Sequence, residues 1–338
     1  MKFDFAIGNP PYQQETSDNG RQTPVYNLFM DEAYKIADCV ELITPARFLF
    51  NAGQTPKSWN NKILNDEHFK VLKYESDASK VFMNTEIKGG VAITIRDKTQ
   101  DYGKIGVFFE FDILEDIVSK VCKQGYLSLE NICVGAVPYS YSKKFKDEKK
   151  EYIQFAGESF DLRTNAFDKM YNKIFFKEKK NENYIAIIGI YEKKRTILYV
   201  DKKYIDVPSN FKSYKVILSK AQGSDKFGEA FAPMIIGEKN VGHTQTFISM
   251  GCFDTYDEAK NLESYLKTKF TRCLLSILKK TQDITPYKWK YVPIQNFKLD
   301  SDIDWSRSIS EIDQQLYNKY ELSKEEINFI ETHVKEME

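Results

Sequence analysis

Long apolar runs are missing from this 338-residue chain. None approaches the roughly 20 residues needed to cross a bilayer as a helix, and the stretch from Met1 to Pro10 is too short for a secretory signal. A cytoplasmic location with no membrane attachment is therefore the expectation. Cysteine is scarce as well: five residues (Cys39, Cys122, Cys133, Cys252 and Cys273) without paired spacing suit reduced, buried thiols and exclude a disulfide framework. With three histidines, His68, His243 and His333, no zinc-ligand set is visible and no metal is expected. No Gly-x-Ser-x-Gly elbow occurs, which argues against a histidine-dependent nucleophile. Internal repeats and low-complexity segments are absent too. What remains, 42% hydrophobic and 29% charged residues, is the composition of an ordinary globular protein long enough for two domains.

Hydrophobic periodicity divides the chain. Apolar or alternating runs at 3–8, 39–44, 69–74, 91–96 and 105–111 predict strands. Helical patterns at 26–37, with Tyr26, Phe29, Met30, Ala33 and Ala37 on one face, and at 58–65 and 113–123 alternate with them. That alternation predicts an α/β fold with a mostly parallel sheet. After Gly125 the pattern changes to short aromatic strands at 184–191, 196–200, 214–218 and 246–250, followed by helices. Thr255-Tyr256-Asp257-Glu258 has capping-box form and opens a long helix running through Ile277. Ser308-Ile309-Ser310-Glu311 and Ser323-Lys324-Glu325-Glu326 open two more. The second domain is thus α+β, and the expected division is 1–120 and 121–338, with the join between residues 112 and 130.

The net charge of zero conceals an asymmetry. Residues 141–226 hold 20 Lys/Arg against 12 Asp/Glu, whereas residues 300–338 hold 4 against 11. The basic stretch contains Lys143, Lys144, Lys146, Lys179, Lys180, Lys193, Lys194 and Arg195, interleaved with Tyr139, Tyr141, Phe145, Tyr171, Tyr191 and Tyr199. Cations beside planar groups are what a surface binding double-stranded DNA requires, and these eight are its candidate contacts. A solvated lysine-rich face is the competing reading.

The sharpest local signal is Phe3-Asp4-Phe5-Ala6-Ile7-Gly8, an apolar strand that runs into Asn9-Pro10-Pro11-Tyr12. The tetrapeptide arises by chance about once in a thousand chains of this length at average usage. Two successive prolines fix φ near −65° and carry no N–H, so they hold an extended loop whose carbonyls stay free to accept from a ligand. Tyr12 offers a flat face. Tyr26 to Ala37 then reads as a helix, Cys39 to Thr44 as a buried strand and Pro45-Ala46-Arg47-Phe48-Leu49 as the turn after it. Further on, Val81-Phe82-Met83-Asn84-Thr85-Glu86-Ile87-Lys88-Gly89-Gly90 leads into a strand through Ile95.

These segments resemble motifs IV to VIII of the gamma-type DNA adenine methyltransferases of restriction–modification systems, the type IIG-like branch. Phe160 to Asn165, Lys215 to Gly223, Tyr265 to Phe270 and Ser301 to Tyr317 are similar to that family's target-recognition region. The resemblance implies a partial Rossmann-like methyltransferase sheet, formed by its distal strands, followed by an α+β target-recognition domain. It implies methyl transfer from S-adenosylmethionine to adenine N6, with Asn9, Pro10, Pro11 and Tyr12 catalytic. The adenine is flipped out of the duplex and stacked between Tyr12 and Phe82. Asn9 and Pro10 would form only part of the cofactor pocket, since the family's glycine-rich turn and acidic ribose ligand precede motif IV. A permuted order is not supported: Gly223 to Gly228 has the wrong spacing and Met250-Gly251-Cys252 a single glycine.

Three readings follow. In the first, a second polypeptide carrying the cofactor-binding half, or a second copy, pairs with the edge of the strand at 3–8. In the second, the chain is a truncated, catalytically inactive DNA-binding remnant. In the third, the proline loop serves for shape only.

Overall fold

In the computed structural model, which describes residues 3–15, 22–85, 87–123, 125–223 and 226–337, the apolar run before the prolines forms strand β1 (Phe3–Gly8). Glu86, inside the 81–95 stretch, and Ser224 and Asp225, inside the 223–228 stretch, lie outside the described residues. The chain divides into two units, residues 1–115 and 116–338.

In the first unit β1 is followed by the short hairpin β2 (Gln13–Glu15) and β3 (Gln22–Pro24), helix α1 (Tyr26–Ile36), strand β4 (Ala37–Pro45), helix α2 (Lys57–Leu64), and strands β5 (Phe69–Glu75) and β6 (Val91–Asp97). The sheet has the order β1-β4-β6-β5. β1 runs parallel to β4, with Phe5 opposite Cys39 and Gly8 opposite Leu42. β6 lies antiparallel to both β4 and β5. The expectation of a mostly parallel sheet is therefore corrected to a mixed one. A parallel neighbour needs a crossover connection, usually a helix. α1 supplies one between β1 and β4, but the described residues between β5 and β6 hold no α-helix and the chain returns antiparallel. The run at 105–111 is not a strand; Ile105 and Phe108 instead pack, partly buried, against the core.

That core lies on one face of the sheet. Val40, Leu42 and Ala92 point into it and meet Tyr26 and Met30 of α1 and Trp59, Ile63 and Leu64 of α2. Trp59 donates its indole N–H to Asp31 at 3.0 Å, which satisfies the one polar atom of a half-apolar ring. Phe29, expected on the buried face of α1, is 47% exposed. The opposite sheet face is uncovered at β1, where Phe5 and Ile7 alternate with the core-facing Ala6 and are 70% and 79% exposed.

Helix α3 (Ile113–Val121) carries the join. The second unit is α+β. Strand β7 (Cys133–Val134), strand β8 (Ser140–Tyr141), helices α4 (Lys143–Glu148), α5 (Ile153–Ala156) and α6 (Ala166–Met170), and strands β9 (Tyr184–Tyr191), β10 (Lys194–Asp201) and β11 (Ile205–Asp206) lead to β12 (Tyr214–Ser219), β13 (Ile235–Gly237), β14 (Val241–His243) and β15 (Phe247–Phe253). They build sheets ordered β10-β9-β14, β11-β8 and β13-β12-β15-β7. β9 and β10 close on a two-residue turn, Glu192-Lys193, with both residues at positive φ (48° and 63°). This is the twist that joins antiparallel strands, made here without glycine.

The helix expected from Thr255 to Ile277 is two helices, α7 (Tyr256–Lys267) and α8 (Lys269–Leu278), broken at an extended Thr268. The break is stabilised from a distance. Helices α9 (Ile309–Lys319) and α10 (Lys324–His333) complete the unit, and Asp313 of α9 accepts the N–H groups of Lys269 and Phe270 at 2.9 Å each. Thr268 accepts the N–H of Thr271, so the first turn of α8 is capped twice. Capping boxes form at Ser308 and Ser323 as their spacing predicts. Thr255 caps α7 through the Glu258 N–H.

Candidate functional site

Asn9 to Tyr12 leave the C-terminal end of β1 as an extended loop. Asn9 and Pro11 are exposed, Pro10 and Tyr12 half-buried. The Tyr12 carbonyl accepts the Val25 N–H at 3.1 Å, which staples the loop to the start of α1. The Tyr12 hydroxyl is buried without a hydrogen-bond partner among the described residues, and burial pushes its pKa up to about 12. The ring is thus held as a neutral phenol with its apolar faces available for packing.

Phe82 comes from the connection between β5 and β6. Its N–H donates to the Ala78 carbonyl at 2.8 Å, at the end of a turn that Asp77 caps by accepting from Ser79. Gly89 and Gly90, both at positive φ (83° and 74°), then feed the chain into β6. A Cβ at Gly90 would stand 2.3 Å from the Glu75 carbonyl oxygen, so only glycine fits this approach. The Gly90 carbonyl accepts the Ala46 N–H at 3.0 Å, which locks the loop to the turn after β4.

These two segments bring Tyr12 and Phe82 together, with ring centroids 6.4 Å apart and planes at 68°. A planar base held between two parallel rings needs about 7 Å between them, two contact distances of about 3.5 Å. The separation is close to that value and the tilt is not. Phe82 therefore has to rotate for a base to enter between them.

Beside Tyr12 opens a pocket of about 190 Å³ whose walls include Gln13, Gln22, Tyr26, Arg47 and Gln54. Burial pushes the Tyr26 hydroxyl up to about 12, against the pull of the nearby Arg47 charge. Sequence reasoning placed Arg47 only in a turn. Its available signal was to be the sole charge in the apolar run from Leu42 to Phe50. Ala46, Phe48, Leu49 and Phe50 are buried around it.

The described residues do not by themselves fit S-adenosylmethionine. The methionine end and ribose need a glycine-rich strand-to-helix turn and an acidic partner. The only adjacent glycines of this unit, Gly89 and Gly90, enter an antiparallel strand instead of leaving a parallel one. Asn9 and Pro10, expected in part of that pocket, follow the end of β1, Asn9 exposed and Pro10 half-buried. Among the described residues no group of three or more His, Cys, Asp or Glu is placed to hold a metal, and no helix is long and apolar enough to cross a membrane.

The eight candidate DNA-contacting cations fall in three places of the second unit. Lys143, Lys144 and Lys146 ride on α4, where Lys144 lies 3.6 Å from Glu148. Lys179 and Lys180 follow Phe176, which bridges to Tyr199 of β10. Lys193, Lys194 and Arg195 form the β9–β10 turn and the start of β10. Several rings interleaved with them in sequence are not surface platforms. Tyr139, Tyr141 and Phe145 are buried in the core, and others carry a lysine already: Lys146 stands 3.9 Å from the Phe160 centroid and Lys180 3.2 Å from that of Phe176. Arg195 donates to the Pro233 carbonyl at 3.0 Å.

Comparison with known proteins gives the first part of the chain a family context. The model of the Eco57I restriction-modification methylase family matches residues 1–82. An uncharacterized adenine-specific methylase of Mycoplasma pneumoniae is 29% identical over 99 residues, covering 28% of this chain and 24% of that protein. Among solved structures, the type IIG restriction endonuclease BpuSI aligns with 90% of this chain and 44% of its own at 11% identity and a TM-score of 0.30. The type IIL restriction–modification enzyme MmeI in complex with DNA aligns with 97% of this chain and 56% of its own at 10% identity and a TM-score of 0.42. The chain thus spans less than two thirds of the length of each of these three proteins. It is distantly homologous to adenine-specific DNA methyltransferases and restriction–modification enzymes.

Proposed function

We propose that this chain supplies the base-holding part of a site-specific DNA adenine methyltransferase of a restriction–modification system, which moves a methyl group from S-adenosylmethionine to adenine N6. The adenine amino group is a weak nucleophile because its lone pair is delocalised into the ring. The Asn9 side-chain oxygen and the Pro10 carbonyl accept its two hydrogens, which favours a pyramidal nitrogen with a free lone pair. Tyr12 and Phe82 hold the flipped base by stacking. The distal strands of a Rossmann-like methyltransferase sheet carry this loop, and the basic second unit recognises the DNA. The observation that supports the reading is the meeting of Tyr12 and Phe82 at 6.4 Å beside the Asn-Pro-Pro loop.

The cofactor side is completed from outside the described residues. In the family pattern the strand before motif IV is the fourth of a seven-stranded sheet and neighbours the first. Among the described residues β1 has β4 on one side only, and its apolar Phe5 and Ile7 are 70% and 79% exposed. An apolar strand with an open edge and an open face invites pairing.

The lack of a cofactor-binding turn among the described residues favours a second reading, an inactive DNA-binding remnant. Transfer of labelled methyl groups to unmethylated genomic DNA separates the two. Transfer in the presence of the segment that covers β1, lost in Asn9→Ala with DNA binding retained, supports the enzyme. DNA binding without transfer under every such condition supports the remnant.

A further inference from the structure

Arg47 is held on two sides and open on the third. Its aliphatic stem packs over Gly53, where a Cβ would stand 3.2 Å from the Arg47 Cδ and 3.3 Å from its Cβ. Gly53 itself sits at φ +90°, a conformation that favours glycine, so this floor is kept flat. The Nε–H donates to the Lys88 carbonyl at 2.5 Å. The Nη1 and Nη2 groups have no partner among the described residues. A guanidinium tethered through Nε presents its terminal N–H pair as a pre-oriented fork, the arrangement that binds two oxygens of one phosphate.

The surroundings select for an anion. Among the described residues Arg47 contributes the only charge to the wall of the pocket beside Tyr12; the other polar side chains there are the amides of Gln13, Gln22 and Gln54 and the hydroxyls of Tyr12 and Tyr26. Among the described residues no carboxylate lines this pocket. A second pocket of the chain is built the opposite way. There Lys269 is paired with Glu331 at 2.6 Å, and Asp313 and Glu336 add carboxylates to the wall beside Arg272.

We propose that Arg47 binds a backbone phosphate flanking the extruded nucleotide, with the neighbouring glutamine amides completing its hydrogen bonds. This rests on the base-holding reading of the Asn9–Tyr12 loop and deepens it. Tyr12 is shared by the ring pair and the pocket, so the base and its phosphate are gripped on two sides of one residue. The Nε–Lys88 bond further couples phosphate binding to the loop that carries Phe82, which must rotate to admit the base.

The test needs no knowledge of the recognised DNA sequence. Binding of 2′-deoxyadenosine, 2′-deoxyadenosine 3′,5′-bisphosphate, 2-deoxyribose 3,5-bisphosphate and S-adenosylhomocysteine is measured by calorimetry on the full chain, on Arg47→Gln and on Arg47→Lys, with each variant's melting checked. The bisphosphate should bind the wild type about tenfold tighter than the nucleoside. Arg47→Gln should erase that advantage while leaving nucleoside affinity unchanged, and Arg47→Lys should keep part of it. An undiminished advantage in Arg47→Gln overturns the assignment. So does a parallel loss for nucleoside and bisphosphate, which would make Arg47 only a brace for the 88–90 loop. An Arg47-dependent preference for S-adenosylhomocysteine, with none for the bisphosphate, would reassign the anion to the methionine carboxylate and also overturn it. Equal binding of the sugar bisphosphate and the nucleoside bisphosphate would keep the phosphate assignment and sink the base-holding reading. Failure of all four to bind overturns both.

Discussion

Tyr12 and Phe82 meet with ring centroids 6.4 Å apart and planes at 68°, although one ends the loop after β1 and the other begins the passage into β6. Each is anchored through its backbone, Tyr12 by Val25 and Phe82 by Ala78. The two backbones are held in place, and the Phe82 ring is half-buried.

Phe82→Ala should lower kcat/KM for DNA methylation by about 10- to 100-fold, the effect of losing roughly 1–3 kcal/mol of base stacking. Phe82→Trp should restore most of it. Steady-state methyl transfer checks both, and unchanged kinetics in the alanine variant would remove Phe82 from the site.

Gly90→Ala should destabilise the first unit by about 2 kcal/mol or more, because a Cβ would stand 2.3 Å from the Glu75 carbonyl oxygen. Gly103→Ala is the control. Its φ is similar at +74°, but nothing lies within 4 Å, so it should lose only the backbone cost of about 1–2 kcal/mol. Urea denaturation of the two variants measures the difference, and equal losses would contradict the packing described for the Gly-Gly turn.

Phe5→Asp combined with Ile7→Asp should leave melting of the first unit nearly unchanged, since both side chains are largely exposed. It should abolish self-association or binding of a partner chain in sedimentation experiments. Association that survives the double substitution would place the interface elsewhere.

Asp313 gives the second unit a pH dependence. Burial raises its carboxyl to about 6 from the ordinary 3.8. The folded protein therefore binds more protons than the unfolded chain between those values, and stability falls as pH rises through the window. Relative to Asp313→Asn, which stays neutral, the wild type should lose up to about 3 kcal/mol between pH 4 and pH 7. Denaturation of both proteins across that range reads the change directly, and a difference independent of pH would mean the carboxyl titrates normally.

Local signals carried the site further than the fold. The Asn9–Tyr12 loop stood out through proline geometry, a short-range feature, whereas Phe82 was singled out only by the resemblance of the 81–95 stretch to motif VIII. The parallel-sheet expectation failed because alternation of strand and helix says nothing about a connection, such as that between β5 and β6, that turns back without a crossover. The break at Thr268 was hidden because half of its capping comes from Asp313, which is distant in sequence. Arg47 was passed over for a similar reason: its environment is made by Gly53, Lys88 and Tyr12, which only the fold assembles. The run at 105–111 is apolar enough for a strand, yet it spends its apolar side chains Ile105 and Phe108 on the core.

The central claim is that Asn9 presents an adenine amino group for methylation. Its most direct test is nucleoside mass spectrometry on DNA from a host without adenine methylation, expressing this chain together with the segment that covers β1. The account predicts N6-methyladenine with the wild type and none with Asn9→Ala at equal protein levels. N4-methylcytosine in its place, or N6-methyladenine undiminished by Asn9→Ala, would contradict it.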